Sequence, residues 1–138
     1  MKKTISLYVK GGEHDAGYYY RFHQYFREMD VEVRLHKMYS DKIYHQYLPV
    51  GGRPLWVKVW LWIYSTARVT SQLLSDCLKT PDMLIISRRL ISRWSPLIAN
   101  KMVAYIKKRG TTLVWDFDDN IKASRECDNR AFNTFSKL

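Results

Sequence analysis

The order of patterns between Met1 and His36 limits this chain to few folds. Ile5, Leu7 and Val9 alternate with Ser6 and Tyr8, the period of two expected of a strand. Gly11, Gly12 and Gly17 follow in a polar loop. From about Tyr18 to Met29 the apolar residues Tyr19, Phe22, Phe26 and Met29 recur at helical spacing. Val31, Val33 and Leu35 then alternate with Glu32, Arg34 and His36. Strand, glycine loop, helix and strand in this order predict an α/β domain with a parallel, Rossmann-like sheet flanked by helices.

The rest of the chain continues the alternation. Lys37 to Arg53 is polar and rich in Tyr, either a functional loop or the cover of a short strand. Pro54 opens a long helix that ends near Lys79. Trp56, Val59, Trp60 and Ile63 share one face of it, expected to pack on the sheet. Trp62 and Lys58 fall off that face and are the better candidates for an interface. A basic, Trp-rich helix also suits a membrane surface, with its rings at headgroup level. Met83 to Ser87 is a short apolar run, as in a strand covered on both faces. Ser95 and Pro96 start another helix with Leu97, Met102, Val103 and Ile106 inside. Lys107, Lys108 and Arg109 suit its last turn, and Gly110 stops it. Leu113 to Phe117 is the last strand. Residues 1–119 read as one domain. Residues 120–138 read as an extension, the start of an incomplete element, with Phe132 and Phe135 hinting at a helix.

Charge narrows the partners. Lys and Arg number 23 against 13 acids, a formal charge of +10 that favours anionic partners such as phosphates or acidic headgroups. Hydrophobic residues make up 46%, which excludes a disordered chain. The basic N-terminus is followed by a short, alternating stretch, so a signal peptide is rejected. No apolar run approaches the roughly 20 residues that span a bilayer. Cys77 and Cys127 form no metal or disulfide pattern, which fits a reducing cytosol. The four histidines show no ligand spacing and read mostly as surface or loop residues; His14, in the glycine loop, is the one of interest. No recognised nucleic-acid-binding signature is present.

Three groups of residues carry chemistry. Gly11 and Gly12 sit between the first strand and first helix, where backbone N–H groups can hold a phosphate; a plain turn is the alternative. They do not spell the dinucleotide fingerprint. Arg88 and Arg89 follow a strand, on the crevice side of such a sheet, and can grip phosphate or carboxylate. One of them could instead pair with the acids at 116–119. Asp116, Asp118 and Asp119 close an apolar strand at a spacing where like charges repel. They suit a hard cation, a general base for a hydroxyl, or helix capping with an ion pair to Arg. Asp116 and Asp118 point to one side of a strand and Asp119 to the other.

Two stretches together resemble the N-terminal domain of family 4 glycosyltransferases of the GT-B fold. One is Gly11-Gly12 with Gly17-Tyr18-Tyr19-Tyr20-Arg21-Phe22-His23. The other runs from Pro81-Asp82-Met83 through Arg88-Arg89 and Lys107-Lys108-Arg109-Gly110 to Val114-Trp115-Asp116-Phe117-Asp118-Asp119. The resemblance implies transfer of a sugar from a nucleotide-sugar to a lipid-linked or surface-glycan hydroxyl, at the cytoplasmic face of the inner membrane. It implies that Gly11 and Gly12 approach the donor phosphates, that Tyr20, Arg21, Arg88 and Arg89 border the acceptor, and that Asp118 and Asp119 sit near the reacting hydroxyl as catalytic residues. It implies no metal and no further cofactor. Many members carry a His where this chain has Asp, which leaves the base open. Such enzymes have a second, donor-binding domain. The chain is therefore expected to be a fragment, a truncated product or half of a split enzyme, without turnover alone. Other transferases and phosphatases with an Asp-x-Asp strand end fit the order of elements poorly. The non-enzymatic alternative is a basic α/β module that binds membrane or polyanion.

Overall fold

A computed structural model describes residues 2–12, 18–49, 51–87, 90 and 96–116. Gly17, His14, Arg88, Arg89, Ser95, Phe117, Asp118, Asp119, Cys127 and the extension lie outside them. Strand β1 spans Lys3–Val9, β2 Val31–Lys37, β3 Met83–Ser87 and β4 Thr112–Asp116. All pair in parallel in the order β2-β1-β3-β4. Helix α1 is a π-helical turn, Tyr19–His23, continued by an α-helical turn, Gln24–Phe26. Helix α2 spans Asp41–Tyr47, α3 Leu55–Leu78 and α4 Pro96–Lys108. The α/β, Rossmann-like architecture expected from the sequence is therefore present.

The chain leaves β1 toward β2 on one side and returns past it to β3 on the other. Right-handed crossovers to opposite sides of a strand put their helices on opposite faces of the sheet. On one face, Phe22 of α1 joins Ile5, Leu7, Val9 and Ile85. On the other, Val69 and Leu73 of α3 and Ala99, Val103 and Ile106 of α4 pack on Tyr8, Leu84 and Ile86. β1 is thus covered on both faces: Ser6 and Tyr8, which look like a solvent-facing register in sequence, are buried. The switch point of the topology lies between β1 and β3. In open α/β sheets ligands bind there, beyond the carboxyl ends of the strands.

Three differences from the sequence reading have physical causes. The Lys37–Arg53 stretch contains helix α2 rather than a strand, with Ile43, Tyr44 and Tyr47 at helical spacing. Helix α3 is turned: Val57, Leu61, Ser65, Val69, Leu73 and Asp76 are buried, a stripe at four-residue spacing. The Trp56, Val59, Trp60 and Ile63 face is exposed instead, and Trp62, expected at an interface, is half-buried with its Nε1 inside. Small Ser65 in the inner stripe permits close approach to the sheet, which bulky rings would prevent. His36 is a strand residue with only 13% side-chain exposure, not a surface or loop residue. Gly110 does stop α4, with φ at 97° and its N–H donating to the Lys107 carbonyl at 3.0 Å.

Candidate functional site

The carboxyl ends of the strands gather the described candidates along one edge. β1 ends in Val9 and leads through Lys10 to Gly11 and Gly12. Met38 N–H donates to the Val9 carbonyl at 2.9 Å and Tyr39 N–H to the Lys10 carbonyl at 3.2 Å, so the exits of β1 and β2 are laced together. Gly12 takes the left-handed conformation, φ 71°, and a Cβ there would lie 2.5 Å from Lys37 Cε. A Cβ on Gly11 would overlap the Tyr44 ring of α2. Gly11 is confined by the Tyr44 ring, and Gly12 is favoured by its positive φ with the Lys37 side chain against it. Lys37 Nζ is held 3.0 Å from Asp41 Oδ1, which ties the end of β2 to the first turn of α2.

The start of α1 forms the next part of the edge. Tyr19 and Tyr20 are exposed, and their rings meet edge to face at 5.5 Å. The Tyr19 ring also stacks on His23 at 5.5 Å. The turn is π-helical: Gln24 N–H reaches back to the Tyr19 carbonyl, one residue further than in an α-helix. Such single turns widen a helix locally and re-aim its side chains, often beside functional sites. Phe22 anchors the turn in the core.

Arg21 crosses from this turn to the end of β4. Its Nη1 donates to Asp116 Oδ2 at 2.8 Å, with both side chains about one-third exposed (32% and 29%). The pair bridges elements 95 residues apart and spans the edge on the α1 side of β3. Asp116 is thus held by Arg21, and the expected pairing of Arg88 or Arg89 with the acids lies outside the described residues. Arg88, Arg89, Asp118 and Asp119 lie outside the described residues. Of the eight candidates, Gly11, Gly12, Tyr20 and Arg21 are described, and all four sit at the carboxyl edge. Among the described residues no group of three His, Cys, Asp or Glu side chains could hold a metal ion.

A second polar cluster, absent from the sequence reading, lies under α3. Asp76 is fully buried. Ser6 Oγ donates to its Oδ1 at 2.9 Å and Tyr8 O–H to its Oδ2 at 2.7 Å. His36 Nε2 lies 3.3 Å from Oδ2 and Arg34 Nη1 3.9 Å from Oδ1. The His36 ring stacks on Tyr8 at 4.5 Å. Burial pushes the Asp76 carboxyl up, but the His36 contact and the hydrogen bonds from Tyr8 and Ser6 outweigh it, leaving its pKa below the ordinary value. Burial, and then Asp76, push the Tyr8 hydroxyl far up, so it stays protonated and serves as a donor. Cys77 is also pushed up, by burial and Asp76 against the opposing Arg109, so it is a poor nucleophile. The cluster joins α3 to β1 and β2, with Tyr8 and His36 each one residue before the carboxyl end of its strand. It fixes the sheet on which the candidate site is built.

No known protein family, no curated protein and no solved structure matches this chain. No helix among the described residues is long and apolar enough to cross a membrane.

Proposed function

We propose that this chain is the acceptor-side, Rossmann-like part of a glycosyltransferase that moves a sugar from a nucleotide-sugar to a lipid-linked or surface-glycan hydroxyl. The observation that carries the reading is the Arg21–Asp116 pair at the end of β4, with the Gly11–Gly12 turn following β1 on the same edge of the sheet. A sugar acceptor needs apolar ring faces to lie on and fixed polar groups to orient its hydroxyls. Exposed Tyr19 and Tyr20 offer the first, and the Arg21–Asp116 pair offers the second. The chain's overall excess of Lys and Arg favours the phosphates of a lipid-linked acceptor. Asp118 and Asp119 follow β4 after Phe117 in the sequence and are the proposed groups near the reacting hydroxyl. Donor binding belongs to a partner domain, so turnover by the isolated chain is not expected.

The test is an incubation of the chain with nucleotide-sugars and with a short-chain prenyl-diphosphate saccharide, read by product formation and by equilibrium binding. The expected result is no transfer or hydrolysis, with saturable acceptor binding that survives high salt. Binding that any polyanion displaces and that salt abolishes would overturn the reading in favour of a non-enzymatic basic module.

A further inference from the structure

The outward face of α3 is a largely exposed apolar surface. Leu55, Trp56, Val59, Trp60 and Ile63 are all exposed, Trp56 at 72%. They occupy neighbouring positions on the first turns of the helix. Farther along, Leu74 and Leu78 continue the face at 54% and 76% exposure. Exposed apolar patches rimmed by polar groups mark interaction sites. Charge identifies the occupant. Between Asp41 and Asp76 the sequence holds no acid, while Lys42, Arg53, Lys58 and Arg68 fall within it. Lys42 on α2 and Lys58 on the first turn of α3 are both exposed. Tyr47 of α2 meets the Trp60 ring at 5.6 Å, and Trp60 stacks on Tyr64 at 5.6 Å, so the aromatic rings form one connected belt.

We propose that this face docks the protein on an anionic lipid surface, with α3 lying in the plane of the interface. Trp rings prefer the headgroup boundary, where one part of the ring is apolar and the N–H stays wet. A second copy is a poor occupant, because it would set the acid-free cationic stretch against itself. A nucleic acid would leave the Leu, Val and Ile side chains in contact with phosphate. Orientation follows from the fold. Arg68 Nε donates to the carbonyl of Lys37, the last residue of β2, at 2.9 Å. At 1.5 Å per residue, the part of α3 ahead of Arg68 is about 20 Å long. It lies on the side of the carboxyl edge, while α1 with Tyr20 and Arg21 sits on the opposite face of the sheet, turned away from the lipid. The inference rests on the outer face of α3 and not on the transferase reading.

Flotation with phosphatidylcholine vesicles, with and without phosphatidylglycerol, tests it. The chain is expected to float with the phosphatidylglycerol vesicles, with a blue-shifted Trp emission that brominated lipid quenches. A W56A/W60A double variant, checked for unchanged circular dichroism, is expected to lose roughly tenfold or more in partitioning. Lys58→Glu is expected to weaken binding to the anionic vesicles. Binding by the double variant equal to that of the parent would overturn the proposal. So would a parent chain that ignores both vesicles and sediments as a dimer through Trp56 and Trp60.

Discussion

Asp76 has no exposed side-chain surface, yet its carboxyl ionises more readily than a free aspartate because Ser6, Tyr8 and His36 surround it. Its folded pKa lies below its unfolded value, ordinarily about 3.9. The stability it contributes is therefore complete above that value and is lost as pH falls through the folded one. Asp76→Asn keeps the shape and removes the charge, so its unfolding free energy is expected to lose this slope on the acid side. Asp76→Ala leaves the Ser6 and Tyr8 donors unpaired in the core and is expected to cost about 3 kcal/mol. Urea unfolding of the parent and both variants between about pH 2 and 6, a range that brackets the carboxylate value on both sides, reads both effects. An unchanged acid slope in Asp76→Asn contradicts the assignment. None of this was legible in sequence. Ser6 and Asp76 are 70 positions apart, and a polar residue alternating along a strand looks solvent-facing until a helix covers it.

Among the elements, legibility tracked how local the cause is. β3 ends where the apolar run Met83–Ser87 ends, and α4 stops at the glycine whose positive φ only glycine takes easily. The inner face of α3 depends on what it packs against, and hydrophobicity alone pointed to the wrong side. Leu73→Ala, at 0% exposure, is expected to cost about 2–5 kcal/mol, and Trp56→Ala less than about 0.5 kcal/mol. Thermal or urea unfolding of the two variants checks the orientation of the helix; equal losses contradict it. The turn after β1 gives a second contrast. Gly12→Ala meets both an unfavourable φ and the Lys37 stem, and is expected to cost about 1–2 kcal/mol. Gly51→Ala faces open space and is expected to be near neutral. Helix α2 is hard to read because a polar, Tyr-rich segment mimics a loop; Ser40 at the N-cap and Asp41 in the first turn are its start signal.

On the scale of the whole molecule, four parallel strands and opposed helices place a glycine turn, exposed tyrosines and an Arg–Asp bridge along one edge. The order of elements in the sequence sufficed to predict that edge, since parallel sheets put their loops there. Which residues cross it was not readable: Arg21, expected to face a ligand, is held by Asp116. The pair is therefore proposed to orient the end of β4 as well as the acceptor. Arg21→Ala is expected to weaken acceptor binding roughly tenfold while costing about 1 kcal/mol of stability, measured by titration and by urea unfolding.

The most direct measurement is a heteronuclear NMR titration of the chain at high salt with a soluble prenyl-diphosphate saccharide. Saturable shifts centred on Gly11, Gly12, Tyr20, Arg21 and Asp116 are the predicted result. Shifts spread over the basic surface, or confined to the outer face of α3, would contradict an acceptor site at the carboxyl edge of the sheet.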